Sequence, residues 1–251
     1  MEPLCGGDLP REVRVVRTVA SVIGASVLAS VASAAFTMSD PGRYSAATYS
    51  TLLEARARLD NATGQSWKTA IWGSSTAAPV ATSGNYTSDW VSGQAYQFRF
   101  DYNVVTGQAT WLINNRTVTT TLAVGSGKGL AALQFEARSK AGGFMTAVEG
   151  LELSANGGGY ASVPGLGSLV ASNGAFASSG RVYLDQNLTS LSARGSIKFE
   201  FQSGTASGDN LRAAVRLMEA DLVQPVVIPT QGVLGLAAMG AVVVIRRVRR
   251  G

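Results

Sequence analysis

Gln94-Ala-Tyr-Gln-Phe-Arg-Phe-Asp-Tyr-Asn-Val-Val-Thr-Gly-Gln-Ala-Thr-Trp-Leu-Ile-Asn114 is the stretch whose reading decides the fold of this 251-residue chain. Within it Phe98, Phe100, Tyr102 and Val104 alternate with Gln97, Arg99, Asp101 and Asn103. Successive side chains of a β-strand point to opposite faces, so the alternation predicts a strand with one aromatic and one polar side. Thr106-Gly107 supplies a turn, after which Ala109, Trp111 and Ile113 alternate with Thr110, Leu112 and Asn114. The two runs predict a hairpin with an aromatic inner face and a loop of more than two residues.

The same period recurs on both sides of this hairpin. Leu53, Ala55, Ala57 and Leu59 alternate with Glu54, Arg56 and Arg58, a strand pattern written in residues that also favour helix. Leu133, Phe135 and Ala137 oppose Gln134, Glu136 and Arg138, and Val148 to Leu153 reads as a shorter strand. Ile197, Phe199 and Phe201 face away from Lys198 and Glu200, and Ala213, Val215 and Leu217 away from Arg212 and Arg216. Many short half-buried strands and no strong amphipathic helix predict a mainly β body, an antiparallel β-sandwich. A sub-boundary near 156–168 is suggested by Asn156-Gly-Gly-Gly159 and the Gly-, Ser- and Ala-rich run to Ser179. The roughly 60 residues beyond it make a thin independent core, which favours one sandwich over two small β units.

The two ends read as addresses. Arg11, Arg14 and Arg17 precede a small-apolar run from Val19 to Val31, and Ala32-Ser33-Ala34 has the small-x-small pattern of a signal peptidase site. Residues 1–35 are therefore expected to be a signal helix, cleaved after Ala34 or Ala35, with signal peptidase and the export machinery as partners. At the other end an apolar run from Val233 to Ile245 follows Pro229 and is stopped by Arg246, Arg247, Arg249 and Arg250. A segment inserted this way keeps its basic end in the cytoplasm, so 223–251 is expected to be a C-terminal transmembrane helix and 36–222 an extracytoplasmic body. The uninterrupted run is short for a hydrocarbon core that takes roughly 20 residues. That suits a processed sorting signal; an ordinary single-pass anchor is the alternative.

The tail, with Pro229-Thr230-Gln231, the glycines Gly232, Gly235 and Gly240 in its apolar stretch, and the terminal arginines, resembles that of bacterial PEP-CTERM-type surface proteins. The resemblance implies sorting by an exosortase-type enzyme at the 229–231 motif and a place at the cell surface, outer envelope or extracellular matrix. On the strength of Gln94 to Asn114, the body resembles the concanavalin-like or jelly-roll sandwiches found upstream of such tails.

The formal net charge of +5 reports topology. Without three basic residues of the leader and four of the tail, 14 remain against 13 acidic ones. A near-neutral body argues against nucleic acid as a partner, because such binders cluster charge on the folded face. The single cysteine, Cys5, lies in the leader, so the exported body is held by its core without disulfides.

The absence of histidine removes Ser-His-Asp and Cys-His nucleophiles, His-ligated zinc and the usual imidazole base. No phosphate-binding or dinucleotide loop is present, and no cofactor is expected. Carboxylate chemistry survives: a glycosidase needs two carboxylates about 5 to 10 Å apart, and Asp101, Glu136, Glu149, Glu152 and Glu200 lie on or near strands. Solvation of an exposed sheet is the preferred reading of them. Trp67, Trp72 and Trp90 offer a platform on which sugar rings could stack, against the alternative of burial, while Trp111 belongs with the core. Asp60-Asn61, Asp101-x-Asn103, Asp185-Gln-Asn187 and Asp209-Asn210 are oxygen-rich, but turn chemistry explains Asx residues as well as calcium does. No metal is assigned.

The expectation is a non-enzymatic exported surface or matrix protein. A carbohydrate-binding module for extracellular polysaccharide is the alternative, and a carboxylate glycosidase ranks last.

Overall fold

A computed structural model describes residues 35–44, 48–59, 67–74, 78–86, 90–140, 144–201 and 211–223, with the backbone alone at 67–68 and 83–86. The expected signal and transmembrane helices lie outside these residues. Among the described residues no helix is long and apolar enough to cross a membrane.

Among the described residues fourteen strands follow one another: β1 (Phe36–Thr37), β2 (Ser50–Leu59), β3 (Trp67–Gly73), β4 (Ala81–Tyr86), β5 (Ala95–Asn103), β6 (Gln108–Ile113), β7 (Arg116–Thr121), β8 (Lys128–Ser139), β9 (Met145–Ala155), β10 (Leu169–Ser172), β11 (Phe176–Ser178), β12 (Val182–Leu184), β13 (Ser190–Glu200) and β14 (Leu211–Asp221). They form two antiparallel sheets, the first in the order β1-β12-β8-β14-β2-β3-β4 with β11 also on β8, the second β10-β9-β13-β5-β6-β7. The inner faces pack into one core. Leu53, Leu59, Leu133, Phe135, Val215 and Leu217 of the first sheet meet Phe98, Phe100, Tyr102, Trp111, Ile113, Leu191 and Phe199 of the second, all buried.

The decisive hairpin is β5–β6. Phe98, Phe100 and Tyr102 lie opposite Ile113, Trp111 and Ala109, giving the aromatic inner face that the alternation predicts. Four residues close the loop. The Asn103 side-chain oxygen accepts the N–H of Val105 and of Thr106, both at 3.0 Å, and its carbonyl accepts Gly107 N–H at 2.9 Å. Gly107 sits at φ +70°, where a Cβ would lie 2.9 Å from the Ala123 backbone, so the turn needs a residue without one. The Tyr102 hydroxyl donates to the Leu122 carbonyl at 2.8 Å, and burial pushes its pKa up to about 12.

Strands after Gly159 interleave with earlier ones in both sheets: β13 lies between β9 and β5, and β14 between β8 and β2. The 156–168 stretch is therefore a connection within one sandwich. Its first turn is fastened to β9, where Leu153 and Ala161 exchange hydrogen bonds of 2.9 Å. The strand expected over Val148 to Leu153 runs from Met145 to Ala155. Its pairing with β13 shifts register between Arg194 and Ser196, and this bulge breaks the alternation that marks a strand in sequence.

Candidate functional site

The outer face of the first sheet carries a cluster of ion pairs. Alternation sends Leu53, Ala55, Ala57 and Leu59 inward from β2, so Glu54, Arg56 and Arg58 point outward. The same rule turns Gln134, Glu136 and Arg138 on β8 and Arg212, Ala214 and Arg216 on β14 away from the core, although Glu136, Arg212 and Ala214 are themselves buried. Strand pairing sets them in rows. Gln134, Arg216, Glu54 and Trp72 form one row, Glu136, Ala214, Arg56 and Ala70 the next, and Arg138, Arg212, Arg58 and Lys68 the third.

Two carboxylates are locked inside this grid. Glu54 takes a two-pronged contact from Arg56, through Nε and, at 3.1 Å, Nη2, and accepts Arg216 Nε at 2.9 Å. Glu136 meets Arg216 Nη1 and accepts Arg212 Nη2 at 3.1 Å. Arg216 thus bridges both. Side-chain exposure is 5% for Glu54 and 1% for Glu136, so the carboxylate side of each contact is withdrawn from bulk water, which strengthens it.

Their environments drive the two acids apart. Burial raises both, but Arg56 and Arg216 more than offset it at Glu54, whose carboxyl is held below the usual range. At Glu136 burial prevails over Arg216 and Arg212, and the carboxyl lies above that range. A split pair is the pattern of an acid and its partner in a hydrolase. Here, however, both carboxylates are engaged by guanidiniums and almost withdrawn from solvent, so neither is presented to a substrate.

Among the described residues the grid holds more cations than carboxylates. Five arginines face two carboxylates, and the third row consists of basic residues alone. Like charges directly opposite one another destabilise a sheet. Arg212 is the most enclosed of them, its side chain 10% exposed. Its Nε is buried without a hydrogen-bond partner among the described residues, and burial lowers its pKa.

Trp90 and Trp72 follow the burial alternative. Trp90 is 1% exposed and packs edge-on against Tyr96 and Phe199, at 4.3 and 4.7 Å between centroids. Trp72 is 7% exposed, with the Arg56 guanidinium 4.2 Å over its ring. Neither offers a bare face to a sugar, because the aromatic area is worth more inside the core or under a cation. Trp67 opens β3, and its side chain lies outside the described set. Trp111 is fully buried, as expected.

The Asx clusters serve the backbone. Asn103 caps the β5–β6 turn, and Asp101 takes Arg99 at 2.9 Å and the Ser192 hydroxyl at 2.5 Å. Asp185 accepts Asn187 N–H at 2.8 Å and pairs with Arg43 at 3.3 Å, its pKa lowered by the first of these before the second. Among the described residues no group of three or more acidic, Cys or His side chains could hold a metal; Asp60-Asn61 and Asp209-Asn210 lie outside them. Asp101 and Glu200 stand on the second sheet, opposite the face that carries Glu136. A cleft of about 510 Å³ between Tyr44, Val104, Leu130, Asp185, Leu188 and Leu222 has its acid already paired with Arg43.

The first and last described residues are fastened to the first sheet. Ala35 is the first described residue, and its carbonyl accepts Asp185 N–H at 3.0 Å. Phe36 is 3% exposed and pairs with Leu184. At the far end Leu222 bridges Tyr44, and Val223 N–H donates to the Arg43 carbonyl at 3.2 Å. Ala32, Ala34, the 229–231 motif and Arg246, Arg247, Arg249 and Arg250 lie outside the described residues. Sequence reading placed Glu136 on an outer face but passed over Glu54 and the arginines as a unit. The repeated Glu-x-Arg of 54–56 and 136–138 is the signal that points to them. No protein-family model matches the chain, and no curated protein matches it significantly.

Proposed function

We propose that this chain is a non-enzymatic exported protein of the cell surface or extracellular matrix. Its leader is removed by signal peptidase, its tail is held in the membrane or processed by an exosortase-type enzyme, and its body is a concanavalin-like or jelly-roll sandwich. The observation that carries this reading is in the sequence: a small-apolar run behind Arg11, Arg14 and Arg17 closes on Ala32-Ser33-Ala34, and an apolar run from Val233 to Ile245 is stopped by Arg246, Arg247, Arg249 and Arg250. The described residues between them form two antiparallel sheets around one core that draws on residues from Phe36 to Leu217. The withdrawn, arginine-locked carboxylates support a binding or structural role over hydrolysis.

Intact mass and N-terminal sequencing of the native protein test the proposal. Material that begins at Ala35 or Phe36 in an envelope or extracellular fraction is the expected result. A mass ending near Thr230 marks processing of the tail, and one that includes the arginines marks a plain anchor. Full-length chain beginning at Met1 and soluble in the cytoplasm would overturn it.

A further inference from the structure

We infer that Asn115, at the tip of the β6–β7 hairpin, is an N-glycosylation site whose side-chain amide accepts a sugar from a lipid- or nucleotide-linked sugar diphosphate. The inference rests on the exported reading above for its setting, an extracytoplasmic surface that carries a bulky, solubilising group.

The motif is Asn115-Arg-Thr117, and further Asn-x-Thr triplets occur at 61–63, 85–87 and 187–189. A folded chain can carry the sugar only where the asparagine and the hydroxyl two residues on reach solvent. Position 115 meets that condition through strand pairing. Ile113 and Arg116 pair across a loop of two residues, Asn114 and Asn115, whose φ angles are 45° and 60°. Positive φ at both places gives the hairpin turn that follows the twist of the strands. Glycine suits the second place of such a turn at least as well, so the backbone does not call for an amide at 115. Asn115 and Thr117 are both exposed, while Val118 between the outward threonines is 3% exposed and keeps β7 docked on the core. Among the described residues β7 is the edge strand of the second sheet, so its outer side is open to an enzyme. The triplet at 187–189 is held instead. Leu188 is buried, and Thr189 donates its hydroxyl to the Asn156 side-chain oxygen at 3.0 Å. Asn61 to Thr63 and Thr87 lie outside the described residues.

Position in the fold agrees. Val104, in the β5–β6 turn, lines one cleft with Leu222, where the chain leaves for its tail. β6 then runs about 20 Å to its other end, which carries Asn115. The tip therefore stands at the end of the sandwich away from the tail, where a sugar meets neither the membrane nor the core. In the transfer, Asn115 Nδ2 bonds to the anomeric carbon of the donor sugar. The bond from that carbon to the diphosphate oxygen breaks, the diphosphate leaves with the electron pair, and the proton lost by the amide passes to a base of the transferase. No electron is exchanged, so the donor and the transferase are the partners required.

Glycopeptide sequencing by mass spectrometry, on protein purified from the cells that make it, tests the assignment. Trypsin releases the peptide Phe100 to Arg116, which holds Asn115. A sugar on Asn115 of that peptide, with Asn187 bare, is the expected result. An oligosaccharide added as one unit supports the site with a lipid-linked donor, and a single hexose supports it with a nucleotide-linked one. Asn115→Gly, which suits the turn and removes the amide, should lose the sugar completely. Thr117→Ala should lose it as well, and Thr117→Ser, which restores the hydroxyl, should keep it. Because both side chains are exposed, all three variants should keep the wild-type urea midpoint. Bare Asn115 in exported protein, or a sugar that survives Thr117→Ala, would overturn the assignment. Exported chain without the sugar sinks this inference alone, and sugar-bearing chain retained in the cytoplasm sinks the exported reading alone, so the two fail separately.

Discussion

Replacing Glu54 by glutamine tests whether the charged grid is a built structure or a chance collection of surface ions. The carboxylate is 5% exposed and contacts Arg56 and Arg216, whose side chains are 21% and 29% exposed. Removing one partner of a fully buried ion pair costs about 3–5 kcal/mol. Because both arginines keep some water, the expected loss is nearer 2 kcal/mol, the scale of one hydrogen bond to a charged group. With a urea m-value of about 2 kcal/mol/M this moves the unfolding midpoint by about 1 M at unchanged m. The pH dependence has a definite sign. The carboxyl of Glu54 is held below its usual value in the fold, so its contribution is complete above the unfolded pKa of about 4.3 and is lost as pH falls through the folded one. The difference between wild type and variant should therefore shrink on acidification. Glu136→Gln, at a carboxyl that burial holds above its usual value, should cost less than Glu54→Gln at neutral pH. A cycle with Arg216→Gln should show coupling of about 1–2 kcal/mol. A Glu54→Gln protein within about 0.5 kcal/mol of wild type at neutral pH, or a penalty that grows in acid, would refute the reasoning.

Other outcomes follow from single contacts. Gly107→Ala should lower stability by about 2 kcal/mol, or about 4–8 °C in Tm, because the new methyl meets the Ala123 backbone at positive φ; calorimetry checks it. Glu219 accepts Gly125 N–H at 2.8 Å and Lys128 Nζ at 2.9 Å, which bring its pKa below the usual value against burial. Its contribution is present above the unfolded value and lost on acidification, so Glu219→Gln should flatten the stability profile of the wild type below about pH 4.3, read by urea titrations across pH. Cleavage after Ala34 keeps the Ala35 carbonyl that receives Asp185 N–H, whereas cleavage one residue later removes it. Sequencing of the mature N-terminus should therefore read Ala35 first.

The fold was legible where burial differs between the two faces of a strand. In β5, β6 and β13 one face meets the core and the other meets polar surroundings, and the sequence alternates accordingly; in β14 both faces are largely buried, and only the arginines mark the outer one. β3 and β4 lack that contrast: Thr69 and Ala70 are both buried, and β4 reads Ala-Thr-Ser-Gly-Asn-Tyr. β10, β11 and β12 are three or four residues long, too short for a period to show. The charged grid was half legible. Alternation placed Glu136 outward, yet Arg216 reaches Glu54 and Glu136 only because β14 inserts between β2 and β8, a topological fact with no local signature. Clustering in sequence says nothing about depth, so the sequence left Trp72 and Trp90 open between platform and burial; the structure buries both, Trp90 in an aromatic stack.

The account turns on the body lying outside the cytoplasm. Val105, at the tip of the β5–β6 loop, is 79% exposed, and the single native cysteine lies in the leader at position 5. Val105→Cys therefore places one accessible thiol on the body. Treating intact cells with a membrane-impermeant maleimide should label the mature protein before any lysis. A thiol that reacts only after the cytoplasmic membrane is broken would contradict the account.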